Sequence, residues 1–161
     1  MSTTEATVKL FEEFVLEKNQ HRDTAGIAII YDGQILLAHP ANGSWTRPIM
    51  GIPKGKIEVG EDILEAAVRE TKEEIGIEID PDKIKNSLNT IDIYDKNGNF
   101  RNTLYYYEYR IDSLSEIDLE NITVPKYQLQ KEEIDWAGFV KISQAYEKIA
   151  KAQRIILDRA A

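Results

Sequence analysis

Residues 25–40, AGIAIIYDGQILLAHP, read as two strands around the turn Asp32-Gly33, a pair of residue types suited to a two-residue hairpin. ANGSWTRP reads as a loop, and GIPKGKIEVG as a second loop punctuated by glycine and proline. From Glu61 to Ile75 the pattern becomes helical. At roughly 100° per residue, Ala67, Val68, Thr71 and Ile75 fall beside Leu64 and form the expected buried face. Gly76 is the expected stop. Residues 88–111 alternate as a long hairpin turning at Lys96-Asn97-Gly98-Asn99. Its alternation places Tyr105, Tyr107 and Tyr109 together on one packing face. Residues 112–132 are polar and irregular. IDWAGFVKI predicts another strand, and Ser143 to Arg159 a final amphipathic helix capped by Ser143. Val8, Leu10, Phe11, Phe14 and Val15 predict a short amphipathic helix near the N-terminus. Strands outnumber helices, so the expected class is α/β (α+β), a mixed or largely antiparallel sheet with helices covering its faces.

The polar side of the 61–75 helix carries the candidate chemistry. Glu70, Glu73 and Glu74 stand at i, i+3 and i+4 and are therefore neighbours. Three adjacent carboxylates repel, and hard divalent cations would relieve that repulsion. Arg69 lies one turn after Glu65 and one turn before Glu73 and can pair with either, holding a ligand carboxylate in place. Taken alone, this stretch reads equally as an ordinary solvated acidic face. The loop ahead of it favours a site. Gly51, Pro53, Gly55 and Gly60 define a path on which backbone can approach a ligand closely, and Lys54 and Lys56 lie where they could meet phosphates.

Charge and composition narrow the choice. The 161 residues hold 42% hydrophobic and 30% charged side chains, a globular balance whose length suits one domain. The expected organisation is one domain over 1–161, with 1–22 as a helical extension. Lys and Arg total 20 against 28 Asp and Glu, a net charge of −8, which disfavours extended nucleic acid but not a small phosphorylated substrate carrying its own cations. There is no cysteine, so thiolate metal sites and disulfides are excluded, in keeping with a reducing, cytoplasmic setting. The N-terminus lacks the pattern of a signal peptide, and no apolar run reaches membrane-spanning length, so no membrane partner is expected. His21 and His39 have no companion ligands for zinc.

Together, loop and helix resemble the signature of the Nudix hydrolase superfamily. That signature runs Gly, five residues, Glu, seven residues, Arg-Glu, apolar, any, Glu-Glu, any, Gly, apolar. It is matched by Gly55, Glu61, Arg69-Glu70, Glu73-Glu74, Gly76 and Ile77, with Thr71 where an aliphatic residue is usual. The likeness extends over about residues 24–158. It implies an α/β/α sandwich around a mixed sheet, and a pyrophosphohydrolase using Mg2+, with Mn2+ able to substitute. By the same resemblance Glu73 and Glu74 are direct metal ligands, and Glu70 is a ligand or orients the attacking water. Arg69 anchors the glutamates, Glu61 contacts metal-bound water, and the Lys54 carbonyl completes the metal shell. Glu133, with Glu132 as second choice, fits a late-loop base or ligand, or is a solvated loop acid.

The Pro53-Lys54-Gly55 context resembles a subgroup that includes dinucleoside polyphosphate hydrolases, and a small nucleotide of that kind is the expected substrate. Tyr94, in a position resembling a substrate tyrosine of those enzymes, is a candidate base-stacking residue, and Trp45 either covers a base or packs at the core edge. No proline stands near Asp92 and Ile93, where the ADP-ribose-cleaving branch has one. The alternatives are an RNA 5′ end, a (d)NTP, a diphosphoinositol polyphosphate, or a nucleotide-binding module that does not cut. Such modules usually lack signature glutamates, and all are present here. A domain whose acidic helix merely binds calcium is a further alternative, but the ligand pattern of a calcium loop is absent.

Overall fold

The computed structural model describes residues 22–161, so the helix expected around Val8 to Val15 lies outside the described residues, as does His21. Six strands form one mixed sheet. They are β1 (Thr24–Tyr31), β2 (Gln34–Pro40), β3 (Lys54–Lys56), β4 (Leu88–Tyr94), β5 (Phe100–Ile111) and β6 (Ile134–Lys141). The order is β4-β5-β1-β2-β6, with β3 pairing β1 as well. β1 and β5 run parallel, whereas the other pairs are antiparallel.

Local signals explain the tight connections. β1 and β2 join through Asp32 (φ 48°) and Gly33 (φ 69°), both in the left-handed region that matches hairpin twist. At the β4–β5 turn, Asp95 Oδ1 accepts from the backbone N–H groups of Asn97 and Asn99. Strand alternation then divides the core. Ala25, Ile27 and Ile29 of β1 face one side with Leu36, Tyr107, Tyr109 and Ile111. Ala28 faces the other side with Ile35, Leu37, Leu104 and Tyr106. The tyrosines of β5 thus pack in the sheet, as their alternation predicts.

Helix α1 (Ile63–Ile75) covers the first face, packing on β1 and β3. Asp62 caps its start by accepting from the Glu65 N–H, and Gly76 at φ 68° ends it. Ile117, Leu119, Val124 and Leu129, in the irregular stretch after β5, complete that side. The C-terminal segment covers the second face with Ala145, Ile149, Ile156 and Leu157. Each of the buried isoleucines and leucines contributes about 1.5–3 kcal/mol on burial. Among the described residues, no helix is long and apolar enough to cross a membrane.

The chain departs from expectation at its end. In place of one helix from Ser143 to Arg159 there are a short α2 (Ile142–Ala145), a turn, and α3 (Arg154–Ala160). Ser143 caps nothing, and the capping position just before α2 is held by Lys141, which makes no side-chain cap. The break has a long-range cause. Met50 donates to the Lys148 carbonyl and accepts from the Ala150 N–H, which gives residues 148–150 a strand-like partner.

Candidate active site

α1 carries more on its buried side than the apolar pattern implies. Thr71 is buried, and its hydroxyl donates to the Ala67 carbonyl at 2.8 Å, so the polar group costs little at a usually aliphatic position. Leu64 and Val68 are only partly buried, whereas Ala66 and Glu74 are buried. The packed face is therefore rotated toward the glutamates. Glu73 projects outward, Glu70 is half-buried, and Glu74 is 8% exposed.

Arg69 organises the exposed half of the site. Its Nε and Nη2 grip Glu61 as a fork, at 2.7 and 2.9 Å. Nη1 donates to Glu70 at 2.8 Å and to Glu73 at 3.0 Å, and Nη2 donates to the Lys56 carbonyl at 3.0 Å. One guanidinium thus ties α1 to β3 and to the loop before the helix. Of the two partners open to Arg69, Glu73 is taken and Glu65 is not. The hydrogen bond from Arg69 holds the Glu61 carboxyl below its usual range. Glu70 moves the other way, because burial raises it more than Arg69 lowers it.

Gly55 makes this geometry sterically possible. A Cβ built there would lie 2.0 Å from Glu70 Oε2. Gly55→Ala is expected to displace the Glu70 carboxylate and lower turnover by about tenfold or more, since small misplacements at reacting centres are costly. A rate within twofold of the parent, with the melting temperature unchanged, would contradict that reading.

Glu74 is the buried half of the site. Burial pushes its carboxyl up to about 8, and the nearby Glu70 and Glu133 add to the rise. Lys54 opposes it through its charge and its backbone N–H. Lys54, Glu74 and Glu133 line one cleft of about 360 Å³ together with Ile49, Gly51 and Gln153. Glu133 is held by main-chain bonds on both sides. Its N–H donates to the Gln130 carbonyl, its carbonyl accepts from Ala41, and the Gln130 N–H in turn donates to the Glu74 carbonyl. The late loop is thereby pinned to the end of α1. Glu132 does not line the cleft.

The other candidates lie apart. Lys56 is exposed and enters the network through its carbonyl. Tyr94, 57% exposed, packs edge-on against Phe100 beside the β4–β5 turn and does not line the cleft. Trp45 stacks on His39 at 3.8 Å, meets Trp136 edge-on, and donates to Asp135, yet stays 54% exposed. His39 is fully buried, with Nδ1 at 2.7 Å from Asp135 and Nε2 at 3.0 Å from the Ser44 carbonyl. Sequence reasoning missed Gln153, whose Oε1 accepts from the Ile52 N–H at 3.0 Å and fixes the cleft wall. An amide on the apolar side of a helical pattern is the signal that could have found it.

Among the described residues, no three acidic or histidine side chains already converge as a metal cage. A hard divalent ion does not need one. Magnesium retains several waters and takes one or two carboxylates plus substrate phosphates, which suits an open cleft lined by Glu74 and Glu133.

The sequence profile of the Nudix domain matches residues 20–160, and the chain belongs to the Nudix hydrolase superfamily. The class acts on pyrophosphate-containing substrates, generally with divalent metals. No curated protein matches the chain in sequence. Solved structures share the fold. A MutT Nudix hydrolase from Burkholderia pseudomallei aligns with TM-score 0.66 and 24% identity, over 87% of this chain and 98% of that one. An Ap4A hydrolase from C. elegans gives 0.57 and 20%, over 86% and 93%. A bifunctional NMN adenylyltransferase/ADP ribose pyrophosphatase from Francisella tularensis, complexed with AMP and a manganese ion, gives 0.58 and 18%, over 96% and 47%.

Proposed function

We propose that the chain is a magnesium-dependent pyrophosphohydrolase that cuts dinucleoside polyphosphates asymmetrically, with manganese able to substitute. The observation that carries this reading is the meeting of Glu74, Glu133 and Lys54 in one cleft beside the Arg69-anchored Glu70. Glu74, Glu70 and Glu73 are the proposed carboxylate ligands, with the Lys54 carbonyl beside them. When bound, the metal supplies a lowered pKa for water and neutralises charge that develops on the phosphates.

The protein's own groups do the rest. Glu133 takes a proton from the attacking water, whose oxygen bonds to one phosphorus. The bridging P–O bond breaks, and its oxygen leaves with the remaining phosphates. A four-phosphate substrate yields a nucleoside monophosphate and a nucleoside triphosphate. Lys54, at the cleft wall, holds phosphate oxygens by charge. Glu61 acts through Arg69, because both of its oxygens are engaged there. The Pro53-Lys54-Gly55 context and the net charge of −8 support a small polyphosphate over long RNA.

A substrate panel tests this directly. Diadenosine tetraphosphate is expected to be among the faster substrates. Turnover is expected to vanish in excess chelator and to return with magnesium or manganese. Undiminished hydrolysis in chelator would refute the metal dependence. A clear preference for an inositol pyrophosphate, an RNA 5′ triphosphate or one mononucleotide would refute the substrate and leave the hydrolase.

A further inference from the structure

The cleft does not end at Ile49 and Ala150. Both residues also line a second, larger groove of about 780 Å³ between residues 46–49 and residues 147–154. Its walls carry Arg47, Lys148, Lys151 and Arg154 against the single carboxylate of Glu147. On a chain of net charge −8 that concentration of cations stands out. Among the described residues, none of the four takes part in a salt bridge. A cleft of about 580 Å³ beside β5 behaves differently, since its Arg110 is held by Glu108 at 2.6 Å.

The groove is also shaped in advance. Arg154 lies 4.8 Å above the Tyr146 ring, and its Nε donates to the Tyr146 carbonyl at 3.0 Å. That fixes the guanidinium plane and orients the Nη groups without a carboxylate partner. The Arg47 N–H donates to Ser44 Oγ, which ties down the opposite lip. The strand-like pairing of Met50 with residues 148–150 joins the two lips and sets their spacing. Planar guanidinium forks match phosphate oxygens, and clustered cations raise the local concentration of anions.

We propose that this groove binds the phosphates of the substrate that lie beyond the bond being cut. The inference rests on the pyrophosphohydrolase reading and extends it, because the groove then selects for length of the polyphosphate chain. A substrate with two bridging phosphates fills the cleft and leaves the groove empty. One with four reaches Arg47 and Lys151.

Two measurements on the full chain test it. In calorimetry with inorganic tripolyphosphate and chelator present, Arg47→Ala/Lys151→Ala is expected to bind about tenfold more weakly or worse, as two charge-assisted contacts are lost. In kinetics, kcat/KM for diadenosine tetraphosphate is expected to fall at least about tenfold further than for diadenosine diphosphate. Melting curves establish that the double variant folds, and Lys151→Glu repeats the comparison if it does not. Equal tripolyphosphate affinity in parent and variant, or equal slowing of both substrates, overturns the proposal. If neither substrate is cut, the functional reading has failed, and the calorimetric comparison still decides the groove.

Discussion

Glu74→Gln is expected to lower kcat by about 100-fold or more, because a proposed metal ligand loses the charge that would hold the cation against the reacting phosphates. The fold should survive, since the amide keeps the size of a side chain that is 8% exposed. Stability should respond to pH in a way specific to this residue. The carboxyl ionises near its ordinary 4.5 in the unfolded chain and at about 8 in the fold. Between those values the folded state holds the extra proton. That stabilisation is complete below pH 4.5 and gone once the pH passes 8. Its size is on the order of a few kcal/mol. In metal-free buffer the variant should therefore melt close to the parent at low pH and about 5 °C or more above it at pH 9. Parent-like turnover would remove Glu74 from the site. A pH-independent gap in melting temperature would show that its burial has no ionisation cost.

Arg69→Ala should damage stability and activity together. Three carboxylates, Glu61, Glu70 and Glu73, lose their common cation, and Glu61 and Glu70 are only 12% and 15% exposed. Leaving such groups unpaired is expected to destabilise by about 2–4 kcal/mol, or roughly 5–15 °C in melting temperature. The tie from α1 to the Lys56 carbonyl breaks as well, so Glu70 loses its position against Gly55. Arg69→Lys should restore little, because an ammonium cannot grip Glu61 as a fork while also reaching β3. A lysine variant with parent-like melting and turnover would show that charge alone suffices.

What could be read from the sequence was mostly short-range. Asp32-Gly33, the Asp95–Asn99 turn and the Asp62-to-Gly76 helix each carry their own instructions within a few residues. So does the glutamate pattern, whose spacing depends on one helical turn. Glu133, singled out by family likeness as a late-loop base or ligand, lines the cleft, where backbone bonds through Gln130 pin its loop to Glu74. Missed features depended on distant partners. The broken C-terminal helix follows from Met50, about a hundred residues away, and the burial of Glu74 from the close approach of β3 to α1. The parallel pairing of β1 with β5 likewise has no local sign. Gln153 stands at helical spacing with Ala145 and Ile149 on the apolar side, but the partner that its amide holds, the Ile52 N–H, lies about a hundred residues away.

The stack of Trp45 on His39 has an optical corollary. The chain contains two tryptophans, and Trp136 is the edge-on neighbour of Trp45. All of the protein's indole emission therefore originates in one spot, where the loop that leads into the Arg47 lip meets β6. Indole-selective excitation, which passes over tyrosines such as Tyr94 at the β4–β5 turn, will respond to movement of residues 44–49. The molecule carries a built-in gauge of that loop, readable by titration without any label.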